Sequence, residues 1–327
     1  MARRLSIRRQ RVGGGFVYEQ HGAPVSREAV RRIERLAIPP AWEHVEIAAS
    51  RSSKVLARGI DAAGRTQAIY NPQYRRERDE EKFRRVLDFA QHLPELREHI
   101  RRDLRRHGLT EARVLACVLT LVDQELFRVG SPQYAHEHGS FGVTTLTKAH
   151  TTLTQSTLLL HFAGKSGQEV SRKIRDARVI RVVRQLLTLP GELLFQYEHA
   201  DGALHSVTAE QVNSHLHTLI GNVFTVKDFR TWGGNAAVVE YLATAPVKTL
   251  NLTKSILTKA VKHAASELGN TPAVARSSYI DPRLMLELEQ LPDLRVLREQ
   301  FERLSPTPGL RPAEQLTLKL LNSPPVS

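Results

Sequence analysis

A phenol, three cations and an amide stand in short segments that read as parts of one reaction centre: Arg128 in FRVGSPQY, Lys165 in FAGKSG, Arg230 in KDFRTWGGN, and Asn270 and Tyr279 nine residues apart in LGNTPAVARSSY. These types suit the transfer of a phosphodiester to a tyrosine. Such a step needs cations around the non-bridging oxygens as charge builds, activation of the phenol, and a proton for the departing alkoxide. Guanidinium groups fit the first need, because their planar forks match phosphate oxygens and stay charged. A lysine on a turn fits the last. The phosphotyrosyl ester would store the energy of the broken bond, so that resealing requires neither ATP nor a metal.

The charge of the chain favours an anionic partner. Its 327 residues carry 47 Lys and Arg against 34 Asp and Glu, a net +13, with a pI near 10.2. Residues 1–80 hold 16 basic and 9 acidic residues, more than half of the excess in under a quarter of the length. Apolar residues make up 41%, enough for an ordinary core. The sequence has no long apolar run and no secretory leader after MARRLSIRRQR, so we expect a cytoplasmic, nucleoid-associated protein with no membrane partner. Cys117 stands alone in an apolar stretch, which rules out a disulfide within the chain and a multi-cysteine zinc site and suits a buried core residue.

The elements that must position these groups divide into two sets. In residues 1–80, GFVYEQ, VEIAAS, KVLARGI and RTQAIYNP read as strands, SREAVRRIERLAI as a helix capped by Ser26, and RVGGGF as a flexible hinge after a basic arm. From residue 81 to 327 helices dominate. PELREHIRRDLRRHG aligns Arg97, Arg101 and Arg105 on one helix face, available to solvent or to phosphates. TEARVLACVLTLVDQELFRVG predicts a helix with Arg128 in its last turn, the segment around AGKSG predicts strands joined by a turn, and RKIRDARVIRVVRQLL predicts a further helix. The tail LLNSPPVS is expected to be disordered. The fold class expected is α+β.

Other motifs fail on spacing. AGKS lacks the glycine five residues earlier that a phosphate-binding loop needs, since Leu159 stands there. The histidine pairs in AHEHG and SHLHT lack a third ligand.

The four catalytic segments in this order, with IPPAW and GRTQAIYNPQYRRERDEEKF ahead of them, closely resemble the type IB DNA topoisomerases of the small bacterial and poxvirus-like branch. The resemblance spans nearly the whole chain. It implies a strand-rich N-terminal DNA-binding domain (1–80) and a larger catalytic domain (81–327) with the fold shared with tyrosine recombinases, closing on double-stranded DNA as a C-shaped clamp. The implied enzyme is a monomer without cofactor that relaxes positive and negative supercoils by transient single-strand cleavage. Tyr279 would be the nucleophile that forms a 3'-phosphotyrosyl link, Arg128 and Arg230 would stabilise the transition state, and Lys165 would protonate the 5'-oxygen.

Two departures from the family pattern stand out. Asn270 occupies a position where many relatives have histidine, and can donate a hydrogen bond to a phosphoryl oxygen but cannot carry a proton. In the groove-reading strand the viral Gln-Tyr-x-Tyr is here Gln67-Ala68-Ile69-Tyr70, so Gln67 and Tyr70 could contact DNA with less sequence preference. Tyr134 sits where relatives place a tyrosine near the DNA backbone.

Structural roles compete singly: Arg128 as a helix cap, Lys165 as an exposed turn residue, Arg230 as the ion-pair partner of Asp228. Two other functions compete for the whole. A tyrosine recombinase uses similar chemistry, but Lys227 stands where recombinases begin a His-x-x-Arg motif. A DNA-binding protein without catalysis would explain the charge but not the reaction-centre segments.

Overall fold

In the computed structural model, which describes residues 5–199, 201–246 and 250–322, the chain divides into two compact units at Phe83/Arg84. The first is built on strands β1 (Leu5–Val12), β2 (Gly15–Gln20) and β3 (Ala23–Pro24), helix α1 (Arg27–Glu34), and strands β4 (Glu43–Ala48), β5 (Val55–Ile60) and β6 (Thr66–Tyr70). The strands form one antiparallel sheet in the order β3-β2-β1-β4-β5-β6. Alternation decides its faces. Ile7, Ile47 and Ala57 pair across neighbouring strands and pack with Val45 and with Ile33 of α1. Ser26 caps α1 by accepting from the backbone N–H of Ala29.

The flexible hinge expected at RVGGGF is instead part of an ordered hairpin. Residues 5–12 are strand β1, and RVGGGF is the turn of a β1–β2 hairpin with Gly13 at φ +58°. Arg9 explains the order: its guanidinium donates to the carbonyls of Ile38, Pro39 and Trp42, tying β1 to the IPPAW segment. Residues 1–4 of the arm lie outside the described residues.

Helix α2 (Pro72–Leu104) runs through the division between the units. There follow α3 (Glu111–Glu125), α4 (Pro132–His138), a small antiparallel sheet of β7 (Thr151–Leu153), β8 (Leu158–Ala163) and β9 (Glu169–Ile174), and α5 (Ala177–Leu186). A hairpin of β10 (Gln196–Glu198) and β11 (Leu204–Ser206) precedes α6 (Ala209–Ile220), α7 (Val226–Thr244), α8 (Lys254–Glu267), α9 (Pro272–Ser278), α10 (Pro282–Gln290), α11 (Leu294–Glu302) and α12 (Pro312–Asn322). The first three residues of LLNSPPVS, Leu320 to Asn322, therefore close α12, and 323–327 lie outside the described residues. Helix α5 starts later than its pattern suggests, because Asp176 caps it and Arg172–Ile174 belong to β9.

Two apolar clusters fill the second unit. One joins α2, α3, α5, α6 and the small sheet around Phe89, Leu119, Phe195 and Trp232; the other joins α7, α8, α10, α11 and α12 around Val238, Leu257, Leu284 and Leu316. Helix α7 is buried along nearly its whole length and contributes to both. It is the axis of the unit.

The arginine face of α2 serves the protein itself. Arg97 pairs with Asp123 at 2.7 Å and with fully buried Glu314 at 2.7 Å, and also donates to the Gly309 carbonyl. Arg101 pairs with Glu98 and Arg106 with Asp103, while Arg105 lies beyond the helix end. Arg97 is taken up by acidic partners from distant segments of the chain, while Arg101 and Arg106 pair with acids one turn away.

Burial pushes the Glu314 carboxyl up, but Arg97 and Arg311 outweigh it and hold the group down at about 2. Its contribution to stability is therefore complete above the unfolded value of about 4.3 and is lost as pH falls toward about 2. Glu314→Gln should destabilise the fold by about 3 kcal/mol at neutral pH, because it strips a buried arginine of one charge partner. Urea unfolding at a series of pH values checks this: the gap between wild type and variant should narrow as the buffer is acidified.

Candidate active site

The site begins where α3 and α8 end. Helix α3 stops in a left-handed residue, Leu126 (φ 53°), an expensive conformation for a γ-branched side chain. That turn frees the Leu126 carbonyl, and Arg230 of α7 donates one Nη to it and the other to the Leu268 carbonyl at the end of α8, at 2.7 Å. Close packing allows the reach. A Cβ on Gly233 would lie 2.3 Å from Leu126 Cδ2, and one on Gly234 would touch Leu268 and the Tyr279 Cβ. The Gly-Gly pair in TWGGN therefore lets both helix ends and the tyrosine approach α7.

Arg128, past the end of α3 and not in its last turn, donates to the Gly269 carbonyl at 3.2 Å and to Asn270 Oδ1 at 2.6 Å. Its backbone carbonyl is fixed by the N–H of Val143 at 2.8 Å. With Oδ1 spent on Arg128, the Asn270 amide presents a buried Nδ2 that has no protein partner. Arg230 Nε is likewise buried and unpartnered. Both buried donors lack an acceptor within the fold, a need that an incoming anion would satisfy.

Tyr279 closes α9 and precedes the Asp281 cap of α10. Its ring centroid lies 5.3 Å from the Arg230 guanidinium carbon. Asn235, absent from the sequence expectation, holds its backbone: Nδ2 donates to the Tyr279 carbonyl at 2.9 Å, and Oδ1 accepts from the Asp281 N–H at 2.8 Å. A polar amide directly after Gly-Gly, before the apolar run AAVV, was the available signal. Burial raises the Tyr279 phenol, but Arg230 first, then Arg128 and Lys227, outweigh it and leave the pKa lowered. Arg230 is lowered to about 10, by burial and by Arg128, with Tyr279 opposing. Asp228, the expected rival partner of Arg230, instead pairs with Arg85 and caps α7 through Thr225.

The structure brings Arg128, Arg230, Asn270 and Tyr279 together. Lys165 stands apart on the exposed turn between β8 and β9 and makes none of the contacts that join the other four. Gly164, just before it, lines one narrow cleft with Arg128, Arg230 and Gly269. In the first unit, Gln67 Nε2 donates to Asp61 at 2.9 Å, and Tyr70 is half exposed beside Tyr74. Tyr134 is half exposed on α4.

The histidines of SHLHT have other partners: His217 meets the Phe224 carbonyl at 2.9 Å and His215 lies 3.7 Å from Asp103. Cys117 is fully buried, and burial pushes its thiol up to about 12. Among the described residues no helix is long and apolar enough to cross a membrane.

Residues 71–304 match the model of the eukaryotic DNA topoisomerase I catalytic core, and residues 15–61 that of the bacterial DNA topoisomerase IB N-terminal domain. The chain belongs to the type IB DNA topoisomerases. It is thus a member of a family of isomerases that act on DNA. The DNA topoisomerase 1B of Acanthamoeba polyphaga mimivirus is 32% identical over 284 residues, covering 84% of each chain. That of vaccinia virus (strain Copenhagen) is 21% identical over 270 residues, 79% of this chain and 82% of its own; the DNA topoisomerase 1 of rabbit fibroma virus is 24% identical over 239 residues, 70% of each. Within this type IB chain, the cation-flanked tyrosine should be visible by titration. Difference absorbance should reveal a component ionising below the usual tyrosine value of about 10, absent from Tyr279→Phe and moved upward in Arg128→Ala.

Proposed function

We propose that this type IB enzyme relaxes positive and negative supercoils by nicking and resealing one strand of duplex DNA through Tyr279. The observation that carries the reading is the pair of buried, unpartnered donors, Asn270 Nδ2 and Arg230 Nε, beside a tyrosine whose pKa is lowered. Tyr279 Oη releases its proton to solvent, favoured by the neighbouring cations, and attacks phosphorus, so that a 3'-phosphotyrosyl bond forms and the P–O5' bond breaks. Arg128, Arg230 and Asn270 stabilise the charge on the non-bridging oxygens. Lys165 delivers a proton to the departing O5'. The free end turns about the intact strand until the hydroxyl attacks the phosphotyrosine and restores the chain.

The same reading assigns residues 1–80 to binding duplex DNA, with Gln67 and Tyr70 in contact with it, Tyr134 near its backbone from the catalytic domain of residues 81–327, and the two domains enclosing the duplex as a clamp. It places the enzyme at the nucleoid as a monomer. These assignments rest on the family resemblance and on the basic charge of the N-terminal segment. Binding should weaken steeply with salt, because lysines and arginines displace counterions from phosphates.

Relaxation of supercoiled plasmid with EDTA present and ATP absent tests the proposal. Wild type should relax both signs of supercoil and Tyr279→Phe should relax neither. A folded wild type that binds plasmid and leaves its linking number unchanged would refute it. Asn270→His should retain relaxation within about tenfold, since an imidazole can also donate to a phosphoryl oxygen; plasmid relaxation rates at matched enzyme concentration check this.

A further inference from the structure

Lys165 must reach the leaving oxygen from a turn whose own bonds are internal: Gly164 N–H to the Gln168 carbonyl at 2.7 Å, and Gly167 N–H to the Gly164 carbonyl at 3.1 Å. Something outside the turn has to aim it. On one side the Phe141 N–H donates to the Ala163 carbonyl at 2.8 Å. On the other stands Arg172 of β9, which no part of the chemistry above uses. Strand alternation puts Arg172 on the same face as Val170 and buried Ile174, where an apolar residue would be expected.

From that face its guanidinium leaves the small sheet. Nη2 donates to the carbonyls of Glu267 at 3.0 Å and Ser266 at 3.4 Å, in the last turn of α8. Nε lies 3.7 Å from the Glu125 carboxylate at the end of α3, and Nη2 lies 3.9 Å from that of Glu267. These are the same two helix ends that Arg230 grips through Leu126 and Leu268. The C-terminal partial charges of both helices favour a cation there.

We infer that Arg172 is a positioning residue for the general acid: it docks the β8–β9 hairpin on the ends of α3 and α8, and so fixes the Lys165 turn over the phosphate held by Arg128, Arg230 and Asn270. The inference rests on the proton-donor reading of Lys165. The step concerned is the one in which Tyr279 Oη, its proton released to solvent, bonds to phosphorus, the electron pair of the P–O5' bond passes to O5', and Lys165 Nζ supplies the proton that O5' takes up. Arg172 touches none of these atoms. Its loss should therefore reduce protonation of the leaving group and leave the phosphate-binding group intact.

A change of leaving group separates the two. Single-turnover cleavage is measured on a duplex carrying an ordinary phosphodiester and on the same duplex with sulfur replacing the bridging O5' at the scissile position. A thiolate leaves without a proton, since thiols ionise near about 8.5. Arg172→Ala should cleave the ordinary duplex about 100-fold more slowly than wild type, the scale on which general acids contribute. On the sulfur duplex its deficit should shrink to about threefold or less, in parallel with Lys165→Ala, with binding to uncleaved duplex unchanged.

An Arg172→Ala deficit equally large on both duplexes, or no deficit on either, would overturn the inference. If Lys165→Ala is not rescued by sulfur, the proton-donor reading itself fails, and the role given to Arg172 falls with it. Should Arg172→Ala not fold, Arg172→Gln removes the charge while keeping a donor, and the same comparison decides.

Discussion

The second unit depends on one interaction above the others: a buried arginine bridging the carbonyl ends of two helices. Arg230 is 4% exposed, and burying a guanidinium without partners would be prohibitive. The ends of α3 and α8 supply those partners, two carbonyls at the negative poles of their helices. The bargain constrains everything nearby. Leu126 must turn left-handed, Gly233 must lack a side chain, and α7 must run between the two apolar clusters. In exchange the guanidinium is fixed beside the Tyr279 ring with one nitrogen left for another acceptor.

The second consequence is electrostatic. Burial lowers the pKa of both Arg128 and Arg230, and for Arg230 the charge of Arg128 lowers it further, with Tyr279 opposing in each case. An anion between them would relieve this directly. Protein carbonyls occupy some of the guanidinium donors and set their orientation, while the phenol is the group their charge acts on. The fold thus orients its cations before any ligand arrives, which limits the reorganisation required in the reaction.

How much of this could be read from the sequence differs by residue. The strands VEIAAS and KVLARGI, the Ser26 cap and the turn at AGKSG were legible because each is set by local alternation or by one side chain. The candidate group was legible from segments in a familiar order. Its internal geometry was not, since Arg128 meets Asn270 across 142 positions and Arg97 meets Glu314 across 217. Local pattern also misled. Arg97 looked like part of a surface available to phosphate, and the glycines after β1 looked like a hinge, because the groups that hold Arg97 and β1 come from elsewhere in the chain. Asn235 and Arg172 had only a faint signal, a polar residue at a position where periodicity called for an apolar one.

Asn270 has a further consequence. The three groups proposed to receive the phosphate, two guanidiniums and one amide, keep the same charge and the same donors throughout the neutral range, since the only one with a sizeable shift is an arginine at about 10. A histidine at that position would have made the electrostatic field of the cleft vary with the acidity of its surroundings. With asparagine, the charge of the proposed phosphate-receiving group does not change with pH across that range.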